Sequence, residues 1–183
     1  MLRKLFRPGK PIRWDILDKE VIDEIIFRTI QTRNRLMLEL MAKGGMRIGE
    51  VLNLVASDIG NQKVTIRNPK SGKEHETVFI PKRLAERIRS YIRQNGIEPP
   101  QRIFPLSYAG ARVIVRKASA LVGVHLRPHD LRRHAATYAS RSGIPIEIIS
   151  KIILRHSNLS TTQRYLGKIS DEEATHWIEQ LYR

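Results

Sequence analysis

Hydrophobic residues follow a helical period along nearly all of this chain and leave it once, near the middle. That single change of period constrains the fold more than any other feature. Leu17, Val21, Ile22, Ile25 and Ile26 recur at three- and four-residue steps, with Asp15 or Asp18 available to cap the helix they predict. A second helical run, over about 34–43, ends at Gly44-Gly45, and a third begins near Arg47 and carries Val51 and Leu52. Then Val64 and Ile66, and again Val78 and Ile80, alternate with polar neighbours. Between these runs lies Asn68-Pro69-Lys70-Ser71-Gly72-Lys73, rich in turn formers, so the stretch predicts a β-hairpin or part of a small antiparallel sheet. From Pro81 onward helical spacing returns, over about 82–94, 107–122, 129–142 and 145–155, a short turn near 160–166, and 170–182. The expected architecture is mainly α with a small antiparallel β-sheet, an α+β domain without internal repeats.

At 183 residues the chain fits one ordinary domain, able to bury roughly two-thirds of its unfolded surface. Residues 1–14 carry Arg3, Lys4, Arg7, Lys10 and Arg13 with two prolines and read as a basic lead-in, leaving 15–183 as the domain. The absence of cysteine excludes disulfides, cysteine-based zinc sites and thiol catalysis together. No apolar run of about 18 residues is present. The N-terminus also lacks an apolar signal core, so the expected location is cytoplasmic. Thirty-three Lys and Arg against eighteen Asp and Glu leave a formal charge of +15, spread along the chain. Such an excess suits a polyanion, because neutralising phosphates releases condensed counterions. Aromatic residues are only 6%, thin for a protein that stacks unpaired bases, so double-stranded DNA is the expected partner.

Three phrases carry chemistry that fits such a partner. They are Gly45-Met46-Arg47-Ile48-Gly49-Glu50, His129-Asp130-Leu131-Arg132, and the run from His156 to Tyr165, where the histidine precedes the tyrosine by nine residues. Cleaving a phosphodiester through a protein nucleophile needs cationic donors for the nonbridging oxygens, management of the nucleophile's proton, and a proton for the leaving alkoxide. Arginine suits the first task because its planar fork reaches two phosphate oxygens and keeps its charge. Tyrosine suits the second because a phenol is more acidic than an aliphatic hydroxyl. Lysine or histidine supplies the third.

Together these phrases resemble the catalytic signature of the tyrosine recombinases, the phage-integrase family, over about residues 16–183. The resemblance implies that Arg47 and Arg132 are the family's two arginines, Lys70 its lysine and general acid for the leaving 5′ oxygen, His129 and His156 its two histidines, and Tyr165 its nucleophile. It further implies a 3′-phosphotyrosine intermediate, no metal or other cofactor, and strand exchange in which a new 5′ hydroxyl attacks that linkage. Taken singly, each residue has an ordinary reading. Arg47 is a helix-surface charge that Glu50 pairs with, Lys70 a solvated turn residue with Lys73 as its rival, and Tyr165 a half-buried structural phenol. Spacing does not choose between Arg132 and Arg133 as the partner of His129; the family pattern selects Arg132. His134 reads as structural or phosphate-contacting. Lys82, Arg83, Arg87, Arg89 and Arg93 on one run, and Arg112, Arg116 and Lys117 on another, divide between a charged solvent face and phosphate contact.

Two features depart from the family. Family members commonly have glycine before the second histidine, where it permits a left-handed helix end; Arg155 there predicts another termination geometry, or an added phosphate contact. Full-length members usually carry a separate N-terminal helical domain that clamps the far side of the DNA, and the short lead-in forms none, so weak DNA binding is expected. After Tyr165, Ser170-Asp171-Glu172-Glu173 forms a capping box, and Ala174, Trp177, Ile178, Leu181 and Tyr182 make an apolar stripe. That helix folds onto its own core or docks in trans into a neighbouring protomer, which would make a homo-oligomer, up to a tetramer, on DNA. The competing functions are a catalytically silent DNA-binding module of the same fold, type IB topoisomerase-like relaxation, and a basic RNA-associated protein that has no use for Tyr165.

Overall fold

The computed structural model describes residues 18–69, 72–156, 158–163, 166 and 171–181. Helix α1 spans Lys19–Arg28 and buries Ile22, Ile25 and Ile26. Asp18 occupies its N-cap position, but its side chain bonds no amide, so packing of the apolar face defines this helix more than capping does. Leu17 and Asp15 lie outside the described residues. Helix α2, Thr32–Gly44, is buried on every side from Leu36 to Ala42, with Glu39 the one charge among apolar neighbours. Leu36, Met37, Leu38, Leu40 and Met41 are each at most 1% exposed. Each such side chain gains about 1.5–3 kcal/mol by leaving water, and helices on either side in sequence pack against α2.

The end of α2 is set by Gly45, which takes the left-handed conformation at φ 60° and bonds its amide to the Leu40 carbonyl. A Cβ at that position would stand 2.8 Å from Ile153 Cγ2 and 2.9 Å from the Ile153 carbonyl oxygen. Glycine is therefore required twice over, for its dihedral and for its close approach to a distant turn. The chain then re-enters a short helix, α3, over Ile48–Leu52.

The hairpin lies where the change of period places it. Strands β1, Lys63–Arg67, and β2, His75–Phe79, pair antiparallel, with Val64 opposite Val78 and Ile66 opposite Glu76. Val64, Ile66 and Val78 are buried on the core face, and Glu76 shares that face, a charge turned inward. Asn68 begins the connecting turn in the left-handed region at φ 48°.

Helices α4, Lys82–Gln94, and α5, Tyr108–Ala120, cover the flanks through Leu84, Ala85, Ile88, Ala111 and Val115. Ser107 caps α5 by accepting the Gly110 amide at 3.0 Å. Helix α6, Pro128–Arg141, packs along α2. Its start has Pro128 in the first turn and the Asp130 carboxylate accepting the Arg127 amide at 2.8 Å.

The helix expected over 145–155 forms over 146–153, but it changes winding partway. A short turn, α7, covers Ile146–Ile148, and a wider π-helical turn covers Ile149–Ile153, where the Leu154 amide reaches the Ile149 carbonyl at 2.8 Å. This widening aims the following residues toward α3 and β2. Helix α8 spans Leu159–Gln163 and α9 spans Asp171–Leu181. Trp177 of α9 lies against Gly143, yet it remains 38% exposed and Ile178 57% exposed, so much of the predicted apolar stripe faces outward. Ser170 of the expected capping box lies outside the described residues. Among the described residues no helix is long and apolar enough to cross a membrane.

Candidate active site

Arg47 stands at the N-cap of α3, presented by the turn that Gly45 makes. Glu50 grips it at two points: Oε2 accepts the Arg47 backbone amide at 2.8 Å, and Oε1 accepts Nη1 at 2.6 Å. The arginine side chain keeps about a third of its surface exposed, 32%, so one edge of the fork stays available to a ligand. Burial pushes the Glu50 carboxyl up. The Arg155 charge, followed by the Arg47 amide and guanidinium, outweighs burial and holds it below its ordinary value.

Arg132 is more deeply set, at 1% exposure. Its Nη1 donates to the Gly45 carbonyl and its Nη2 to the Leu154 carbonyl. A guanidinium on α6 thus ties together the loop that presents Arg47 and the turn that presents His156. His156 Nε2 lies 3.5 Å from Arg132 Nη2, and Nδ1 lies 3.0 Å from the hydroxyl of the buried Thr162. Because a guanidinium only donates, the tautomer with its proton on Nδ1 satisfies both contacts. Burial, then the charges of Arg132, Arg47 and Arg155 and the neighbouring His129, push the His156 imidazolium down to about 4, so the ring is neutral near pH 7. His129, in the first turn of α6, is lowered in the same direction by burial and by Arg132 and Arg133.

Arg47, His129 and Arg132 line one cavity of about 840 Å³, and His156 adjoins it through Arg132. Arg67, Arg112 and Arg127 also line it. The carboxylates among its described lining residues, Glu50 and Asp58, are both bonded to arginines, Asp58 to Arg67 Nε at 2.7 Å. A concave surface with this excess of fixed cations suits a phosphate backbone. Of the two arginines that spacing left open, Arg132 lines the cavity, whereas Arg133 is not among its described lining residues. Lys70 and Tyr165 lie outside the described residues; Pro69, which precedes Lys70 in sequence, lines the cavity.

Three expectations change. Arg155 does not end its helix by another geometry: it adopts the left-handed conformation itself, at φ 52°, where glycine was expected. Nor does it offer a phosphate contact, since its side chain is 4% exposed and turned onto Glu50 and Glu76. Among the basic residues of α4, Arg87 pairs with the buried Glu39, and Arg89 donates to the Gly60 carbonyl at 2.6 Å, so these two brace the fold. Sequence reading passed over Thr162, Arg67 and Arg127. Thr162 sits in the same phrase as His156 and Tyr165, and six residues after a histidine is the one trace it leaves. His134, expected to be structural or phosphate-contacting, is buried and stacked on Tyr138 with ring centres 5.9 Å apart, a structural placement.

A model described as the phage integrase family matches residues 16–171. The chain is 28% identical over 167 residues to tyrosine recombinase XerA of Saccharolobus solfataricus, covering 90% of this chain and 56% of that protein. A tyrosine recombinase of Pseudothermotoga lettingae is 30% identical over 170 residues, covering 86% and 57%. Tyrosine recombinase XerA of Pyrococcus furiosus is 32% identical over 165 residues, covering 81% and 57%. The chain thus spans little more than half the length of these relatives. In structure it resembles the crystal structure of a XerA recombinase, with TM-score 0.76 at 22% identity over 96% of this chain and 66% of that one. It also resembles the catalytic domain of bacteriophage HP1 integrase, with TM-score 0.63 at 24% identity over 82% and 85%. At these identities the likeness is one of fold.

Proposed function

Because this chain belongs to the phage integrase family, we propose that residues 15–183 form the catalytic domain of a tyrosine-type, site-specific DNA recombinase. The observation that carries the proposal is the grouping of Arg47, His129 and Arg132 around one basic cavity, with a neutral His156 in contact with Arg132. A phosphodiester seated there meets the exposed edge of Arg47 with its nonbridging oxygens, while Arg132, buried in the cavity wall and bonded to backbone carbonyls, acts on them through its charge. Those charges stabilise the pentacoordinate transition state. Tyr165 attacks the phosphorus, the bond to the 5′ oxygen breaks, and Lys70 delivers a proton to that leaving oxygen. The product is a 3′-phosphotyrosine and a free 5′ hydroxyl. Neutral imidazoles at His129 and His156 suit acceptance of the phenol proton. Burial, and then the arginine charges, keep their basicity low before substrate arrives, and the charge of the bound phosphate offsets the second of these. Attack by the 5′ hydroxyl of a partner strand reverses the chemistry and completes strand transfer.

The remaining cationic lining, Arg67, Arg112 and Arg127, extends the phosphate-binding surface along duplex DNA. Assembly on that DNA is as a homo-oligomer, up to a tetramer. Helix α9 supplies the link in trans through its outward apolar residues. A second cavity of about 510 Å³ beside Ile22, Tyr138, Ile144 and Ile153 supplies a receiving surface. The compartment proposed for this chemistry is the cytoplasm. The proposal is tested by incubating the full chain with nicked suicide duplexes in EDTA. A denaturant-resistant protein–DNA adduct is expected, and its absence on every site assayed would reject the proposal in favour of a silent DNA-binding module.

A further inference from the structure

Arg155 is one of two residues other than glycine with positive φ among the described residues, the other being Asn68 in a turn. A left-handed dihedral brings the Cβ of an L-residue close to the following carbonyl oxygen, a crowding that glycine escapes, so the placement of an arginine here needs a reason. The side chain supplies one. Its guanidinium is buried, donating to the Glu50 carboxylate through Nη2 at 2.5 Å and to the Ile153 carbonyl through Nη1 at 2.9 Å. Its Nε lies 3.3 Å from Glu76 Oε2. Glu50 is the carboxylate that grips Arg47, Glu76 is the inward charge on the core face of β2, and the residue after Arg155 is His156. One side chain therefore connects the first arginine, the hairpin strand and the second histidine.

We propose that Arg155 is a positioning residue for the recombination chemistry: from its left-handed backbone it locks Glu50, and through it Arg47, in register with His156, a task that glycine at the same place leaves undone. The inference rests on the recombinase reading for its catalytic consequence, though the lock is a property of the free protein. Replacing Arg155 by glycine relaxes the backbone while leaving two buried carboxylates without their shared cation. The charged groups around Glu50 are Arg47 on its own helix and Arg155 from the turn. Glu76 stands beyond Arg155 on β2, and Arg132 and His156 stand on the side of α6. Arg155 is the chief influence that lowers Glu50, and it also lowers His156, so its loss raises both.

The test uses the full chain, first free and then on suicide DNA. In the free protein, carboxyl and imidazole titrations by NMR are expected to show Glu50 and His156 both higher in Arg155→Gly. Arg155→Lys, which keeps the charge, is expected to stay near the unaltered protein. With saturating DNA, single-turnover cleavage by Arg155→Gly is expected to fall about tenfold or more, with DNA affinity held and partial rescue in Arg155→Lys. Unmoved titrations, or a folded Arg155→Gly that cleaves at the normal rate, would overturn the inference. If Arg155→Gly does not fold, a rise of Glu50 in the charge-retaining Arg155→Lys overturns it, and an unmoved Glu50 supports it. Failure of the unaltered protein to form any adduct would reject the recombinase reading, while the titrations, which use no DNA, still decide this one.

Discussion

Substituting Gly45 by alanine strikes the joint on which both arginines depend. The residue is left-handed at φ 60°, and an added Cβ would meet Ile153 Cγ2 at 2.8 Å and the Ile153 carbonyl oxygen at 2.9 Å. The second contact is with backbone, so a rotamer change in Ile153 relieves only half of the clash. An alanine held left-handed costs about 1–2 kcal/mol, and overpacking against a fixed turn about 1–3 kcal/mol, giving about 2–5 kcal/mol together. For a domain of this size that lowers the melting temperature by about 4–20 °C. Gly49→Ala is the control: nothing lies within 4 Å of its added Cβ, and its place in α3 favours alanine by about 0.5–1 kcal/mol. The assay is thermal unfolding followed by circular dichroism, with both variants beside the unaltered chain. At temperatures where Gly45→Ala remains folded, cleavage is also expected to fall, because the Gly45 carbonyl holds Arg132. A Gly45→Ala melt within about 2 °C of the unaltered protein, the shift that about half a kcal/mol produces, would refute the reasoning.

Thr162→Val removes the hydroxyl that His156 Nδ1 contacts at 3.0 Å. The Nδ1–H tautomer then loses its hold, and single-turnover cleavage is expected to fall about tenfold, with the tautomer change read by nitrogen NMR. Acidification gives a signed prediction. His156 is lowered from 6.5 to about 4 in the folded state, so between those values the unfolded chain binds the proton and the folded one does not. The contribution of His156 to stability is therefore full above pH 6.5 and declines as pH falls toward 4. Urea midpoints measured across that window are expected to decline less steeply in His156→Gln; an unchanged slope would count against it. Arg87→Ala is expected to lower the melting temperature, because it uncouples the buried Glu39, and to leave the salt dependence of DNA binding alone. Arg112→Ala is expected to do the reverse, reducing the slope of log affinity against log salt by about one.

Much of the fold is written locally. The hairpin is legible because Val64, Ile66 and Val78 alternate around a run of turn formers, and the end of α2 is legible because Gly44-Gly45 stops a helix. The change to a wider winding at Ile149 is not, because Ile146, Ile149 and Ile153 satisfy a regular helix and a π-helical turn equally well at the level of spacing. In the site, the phrases around Arg47, His129, Arg132 and His156 announce the residue types. No local pattern announces that Arg132 reaches the carbonyls of Gly45 and Leu154, each far from it in sequence. Arg155 shows the limit most clearly. A rule about local backbone preference predicts against a left-handed arginine, and two buried carboxylates from distant elements override it. The expected places of Lys70 and Tyr165 fall outside the described residues, so the roles given to them rest on the family pattern.

The most direct measurement is therefore the chemical identity of the protein–DNA bond. Adduct trapped on a suicide duplex in EDTA is digested with nuclease and protease and sequenced by tandem mass spectrometry, with the released DNA end characterised in parallel. The expected result is a nucleotide joined through its 3′ phosphate to Tyr165, a free 5′ hydroxyl on the released strand, and no adduct from Tyr165→Phe. A nucleotide attached to any other residue, or an adduct that persists in Tyr165→Phe, would contradict the proposed chemistry.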